Sequence, residues 1–137
     1  MIYTANQINN SPTIVGKAGA TISTPTDVRC KAVKFDASGN VVVASTAGEA
    51  VIGIAIITND ETIKAGEDID IQVKDMGIAT AGAAVAAGDE LAADANGKLQ
   101  KATAGQFVIA TALEAATAAD KLIRVQITKY TKPNASA

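Results

Sequence analysis

The sequence predicts an all-β fold: a small antiparallel β-barrel or sandwich built from two internally repeated strand units, with an extended N-terminal arm. Three observations carry that prediction. β-branched residues dominate, with 15 Ile, 11 Val and 14 Thr against only 4 Leu, and such side chains favour the pleated surface of a sheet. Turn signals recur between short apolar runs at the spacing of a small sandwich or barrel. The second half of the chain also repeats the first, and self-similarity of that kind outweighs any single strand.

In chain order, residues 1–13 read as the arm, polar and Asn-rich, with Asn6, Asn9, Asn10, Ser11 and Pro12 as a cluster of breakers. The β-rich core is expected over residues 14–131 and a frayed tail over 132–137. Lys31 to Phe35 alternates polar and apolar, and Asp36-Ala37-Ser38-Gly39-Asn40 turns it into Val41-Val42-Val43, the firmest hairpin in the sequence. Ala50 to Thr58 reads as a fully apolar strand. Asp68 to Val73 then alternates strictly, with Ile69, Ile71 and Val73 inward and Asp68, Asp70 and Gln72 outward.

The second unit, about residues 90–127, answers the first, about 31–73. Asp94-Ala95-Asn96-Gly97-Lys98-Leu99 matches Asp36 to Val41, and Thr103-Ala104-Gly105 matches Thr46-Ala47-Gly48. Phe107 to Leu113 follows as Ala50 to Ile56 does, and Leu122 to Ile127 answers Asp68 to Val73. One unit leaves an apolar face uncovered, so the two are expected to close on each other. Two stretches have helical propensity. Gly82 and Gly88 break Ala79 to Ala95, and Glu114 to Lys121 is read as a loop with room for one short helix, because its repeat partner holds Gly66 and Asn59-Asp60.

Composition removes most functional classes. The chain of 137 residues has no His, which takes away the commonest general base, the usual metal ligand and every Ser-His or Cys-His pair. Its 12 basic and 14 acidic residues are nearly balanced, so no nucleic-acid or anionic-membrane patch is expected. Arg29 and Arg124 are its only arginines, and aromatic residues make up 3% of it, too few for stacking platforms. The single Cys30 is expected to be a small buried residue in a strand, and the chain is expected to be soluble in a reducing compartment unless exported by a route it does not reveal. No signal peptide is visible, and the runs Ala50 to Ile57 and Met76 to Ala87 do not suit a membrane span.

The candidate chemistry reduces to turns and solvated faces. Asp36 and Asp94 are expected to bind their own turn backbone while Gly39 and Gly97 take positive φ. A calcium loop would need more clustered oxygen ligands than the sequence supplies. Asp68 and Asp70 read as a solvated face that also discourages edge pairing. Gly16-Lys17-Ala18-Gly19-Ala20-Thr21 lacks the order of a phosphate loop. No catalytic residue, cofactor or metal ligand is assigned. Positive mean hydropathy, low charge and an arm unable to fold alone instead describe a subunit of an assembly.

The segments Gly88 to Leu99 and Val108 to Ala116, with the last strand Leu122 to Ile127, resemble the capsid cement or head decoration proteins of tailed bacteriophages. Val41-Val42-Val43-Ala44 and Gly53-Ile54-Ala55 resemble a weaker first copy, so the likeness spans about Thr21 to Thr128. It implies a small all-β structural protein, often a homotrimer, made in the host cytoplasm. Such a protein sits on the outer capsid surface, binds the major capsid protein and stabilises the expanded shell. In the arm, Ile2, Tyr3, Asn6, Ile8, Asn9 and Asn10 are the candidate capsid contacts, in a segment expected to order on docking. Two rivals stand beside this reading. One is a head-fibre base or host-surface adhesion module; the other is an enzyme, which the absence of His opposes.

Overall fold

The computed structural model describes residues 11–21, 29–56 and 63–134. Among these residues there is no helix. Strands β1 (Thr13–Lys17), β2 (Ala32–Phe35), β3 (Val41–Val43), β4 (Gly53–Ala55) and β5 (Asp68–Gln72) form one sheet in the order β1-β5-β4-β2-β3. Strands β6 (Met76–Thr80), β7 (Glu90–Ala93), β8 (Leu99–Lys101), β9 (Phe107–Ala112) and β10 (Leu122–Thr131) form a second in the order β6-β10-β9-β7-β8. All pairings within both sheets are antiparallel. The two orders are the same topology, so the repeat read from the sequence is a repeat of fold.

The repeat is larger than the sequence suggested, because each unit gains a first strand. β1 pairs with β5 as β6 pairs with β10. Each sheet then curls until the end of its first strand meets its last strand in parallel, at Ala18↔Val41 and at Ala81↔Leu99, without closing into a barrel. The matching hydrogen bonds agree: the Gly19 amide donates to the Val41 carbonyl at 2.9 Å and the Gly82 amide to that of Leu99 at 2.7 Å. Gly16 to Ala20, which has no phosphate-loop order, is thus the close of β1 and its bridge, equivalent to Ala79 to Ala83.

The turns follow from their residues. The Asp36 carboxylate accepts the amides of Ser38 and Asn40, both at 2.9 Å, and that of Asp94 accepts Asn96 at 2.8 Å and Lys98 at 3.0 Å. Gly39 and Gly97 stand at φ 81° and 76°, where a side chain is strained. In β5, Ile69 and Ile71 are buried while Asp68 and Asp70 are exposed, as period two requires. β5 lies between β1 and β4, however, so its carboxylates guard no sheet edge; Asp68 instead pairs with Lys17 of β1. Glu114 to Lys121 is turn and loop without a helix.

Three expectations need correction. The units do not bury their inner faces against each other, because each curled sheet wraps its own core. Val33, Val41, Ala55, Ile69 and Ile71 cluster in the first unit, and their equivalents Leu91, Leu99, Ala112, Ile123 and Val125 in the second. Ala32 and Ile54, on the opposite face of the first sheet, join the second cluster and so link the units. Of the apolar run from Ala50, only Gly53–Ala55 is in a strand, with residues 57 and 58 outside the described segments. There Gly53 lies so close to the Gln72 carbonyl that a Cβ would strike it. Finally, Cys30 is buried but sits in a turn at φ 55°, not in a strand.

Candidate functional site

The six arm residues Ile2, Tyr3, Asn6, Ile8, Asn9 and Asn10 lie outside the described residues. What the fold shows is how the residues that follow them are held. Pro12 donates no amide of its own, but its carbonyl accepts the Val73 amide at 2.8 Å, and Thr13 is paired with Gln72. The start of β1 is therefore held beside the β5–β6 connection.

A surface that the sequence did not single out lies on the second sheet. Met76 and Ile78 alternate with Gly77 and Ala79 along β6, and Met76 is 59% exposed. Their neighbours on β10 in register are Gln126 and Arg124, with Leu122 one pair further on at 56% exposed. Leu113 joins them, its backbone amide donating a hydrogen bond to the Arg124 carbonyl at 2.9 Å. Glu114 holds Arg124 in place, its carboxylate accepting the Arg124 amide at 2.9 Å and Nε at 3.4 Å. Apolar side chains left in water over such an area mark a contact surface. The signal was present in Met76-Gly77-Ile78-Ala79-Thr80, where apolar residues alternate with small ones, but the absence of polar residues hid the strand.

Beside it, at the junction of the sheets, Cys30, Ile54, Ala55, Ile56, Gln72, Gly77 and Ile78 line an apolar pocket of about 200 Å³. Gln72 closes one side, its amide nitrogen donating to the carbonyls of Lys74 and Met76. Burial pushes the Cys30 thiol above its ordinary value, against a smaller opposing effect of the Arg29 charge. A protonated, buried thiol is a packing group rather than a nucleophile.

The polar clusters are structural. Glu90 accepts hydrogen bonds from Tyr130 and, at 3.0 Å, Lys132, and these hold its carboxyl below the usual value. Tying Tyr130 and Lys132 to Glu90 fastens the end of β10 across the second sheet, and the Lys132 amide adds a bond to the Gln106 carbonyl at 2.8 Å. Among the described residues, no group of three or more Cys, Asp or Glu is placed to hold a metal ion. Among the described residues, the arrangement offers contact surfaces and no convergent reactive groups.

Comparison with known proteins agrees with a contact role. Residues 37–127 match the profile of a family described as phage cement protein. That span runs from the first hairpin to the last strand and includes both units. No curated protein sequence matches. Among solved structures, the fold is similar to the head fiber gp8.5 N base in bacteriophage phi29, with a TM-score of 0.58 and 14% identity over 85% of this chain and 92% of that one. At that identity the likeness is one of fold.

Proposed function

The chain belongs to the phage cement protein family, a family of virion structural proteins, and from that premise we propose that it binds the outer surface of a phage capsid and stabilises the expanded shell. The family match across both units is the observation that carries this reading. The mechanism is linkage rather than catalysis. A protein that binds the expanded shell but not its unexpanded or ruptured forms makes it harder to disrupt, by about 2.7 kcal/mol per site at a hundredfold excess over Kd. Many sites around a head multiply that gain, and none needs a catalytic group, cofactor or metal.

The major capsid protein is the partner and the working form is a homotrimer. Ile2, Tyr3, Asn6, Ile8, Asn9 and Asn10 are the arm's contacts with the shell. Support for an arm that acts apart from the core comes from its root: Pro12 and Thr13 are fixed against Val73 and Gln72, so a segment ending there is presented at one corner of the fold. A second contact is the apolar face of Met76, Ile78 and Leu122. The rival reading, a head-fibre base or host-surface adhesion module, draws its support from the fold shared with the phi29 head fiber base. Electron microscopy of purified particles separates them. A cement protein gives compact density at joints between capsid hexamers; a fibre base gives density continued outward by a further chain, and attachment to host cells would favour adhesion. Deleting residues 1–10 should abolish capsid occupancy while leaving the β-core folded.

A further inference from the structure

The two units of the chain meet head to tail. The second unit's hairpin tip plugs into the first unit, where the Ala32 amide donates to the Gly97 carbonyl at 2.7 Å. Beside it the Thr80 amide donates to the Cys30 carbonyl at 2.8 Å. Gly97 is buried there, and a Cβ on it would lie 2.5 Å from Val43 Cγ1 and 3.0 Å from the Ala32 carbonyl oxygen. Among the described residues, the reciprocal positions are empty. Gly39, the equivalent of Gly97, is exposed with nothing within 4 Å of its missing Cβ, and so is Gly88, the equivalent of Cys30. Among the described residues, one chain therefore carries an unused plug on its first unit and an unused socket on its second.

The apolar residues around these ends are left exposed in the same pattern. Val15 is the equivalent of Ile78, and Leu113 of Ile56; Ile78 and Ile56 meet at the junction pocket while still 40% and 37% exposed, and Val15 and Leu113 are 60% and 39% exposed. The ladders also set the matching amides in equivalent directions. Ala18 and Ala112 donate to Glu67 and Asp89, so the ladder turns the Lys17 amide away from β5 and the Glu90 amide away from β9, as it turns those of Thr80 and Ala32 away from β10 and β4.

We propose that these ends join between copies: the Asp36–Asn40 hairpin, Lys17 and Val15 of one chain dock on Gly88, Glu90 and Leu113 of the next, repeating the junction already present within the chain. The occupant is a second copy because the socket is built to the same plan as the one that accepts Gly97. A contact of this kind is heterologous, so it closes into a ring when the rotation permits and otherwise propagates. The third part of the internal junction, where the Gly48 amide meets the Ala93 carbonyl, is not offered again. Its equivalent Gly105 donates instead to the Lys132 carbonyl at 2.9 Å, so the C-terminal segment limits the contact between copies and keeps it weaker than the one within a chain. The inference rests on the self-association in the reading above and is independent of capsid binding.

Sedimentation velocity of the full chain over a range of concentrations tests it. The wild type is expected to associate. Val15→Asp and Leu113→Lys should each weaken association by about tenfold or more, and the double variant should regain it by pairing the new charges across the contact. Ser38→Trp blocks the hairpin tip by a separate route, and circular dichroism checks that each variant is folded. Wild-type chains that stay monomeric, association untouched by the single variants and by Ser38→Trp, or no recovery in the double variant would each overturn the proposal. Any of these results leaves capsid occupancy, measured separately on purified heads, to stand or fall alone.

Discussion

Cys30 and Gly88 occupy the same position of the two units, at φ 55° and 90°, and of the two only Cys30 is covered by the neighbouring unit. Each amide at this position donates to an equivalent carbonyl, Ala55 for Cys30 and Ala112 for Gly88. The left-handed backbone is thus a property of the repeat, kept in the first unit although Cys carries a Cβ that disfavours it. The thiol fills space at the junction of the sheets.

That burial predicts unreactive chemistry and an alkaline limit. Native Cys30 should react with iodoacetamide far more slowly than the unfolded chain does. Burial raises the thiol, so the unfolded chain ionises first, near 9.0. Above that pH the unfolded state binds fewer protons than the native one, and stability falls as pH rises. Denaturant titrations between pH 7 and 10.5 should show the loss, and Cys30→Ala should reduce it.

The plug and the socket predict unequal effects at two equivalent glycines. Gly39→Ala meets open space and should cost about 1–2 kcal/mol, the strain of a side chain at positive φ. Gly97→Ala carries that strain and also presses on Val43 and the Ala32 carbonyl, adding about 1–3 kcal/mol of overpacking. Equilibrium unfolding of both variants measures the difference. Equal losses would mean that the hairpin tip is not a constrained part of the junction.

Glu49 predicts sensitivity on the acid side. Burial raises its carboxyl, but hydrogen bonds from Lys34 and the Thr46 amide outweigh that and hold it below the ordinary 4.5. The native state therefore releases this proton more readily than the unfolded chain, and its contribution, present above about 4.5, is lost as pH falls through the native value. Glu49→Gln should flatten that part of the pH–stability curve. The second unit already has Gln106 at this place, accepting the Thr103 amide at 2.9 Å, so the turn itself should survive.

How much of this was legible in the sequence depends on what each residue has to do. The hairpins were readable because Asp36 and Asp94 are short side chains that bind their own turns and glycine follows at the positive φ. β5 and β10 were readable because one face is buried and the other wet, which forces period two. β1 and β6 escaped: Thr13–Lys17 is interrupted by Gly16, and Met76–Thr80 has apolar or small residues on both faces, so neither shows clean alternation. Their kinship was hidden further by unequal spacing, Cys30 following Ala18 by 12 positions while Gly88 follows Ala81 by 7. The idea that the units must close on each other failed because curling lets one sheet bury its own face. The exposed Met76, Ile78 and Leu122 could not be recognised without knowing that β6 and β10 are neighbours. The arm is read from its Asn and Pro content alone, and residues 1–10 lie outside the described residues.

The central claim is that this chain fastens an expanded shell from outside, and co-sedimentation with purified heads in expanded and unexpanded forms tests it most directly. Binding to expanded heads should be saturable, with little to unexpanded ones, and decorated expanded heads should rupture at a higher temperature than bare ones. Absence of binding to expanded heads, or equal binding to both forms with no change in the rupture temperature, would contradict it.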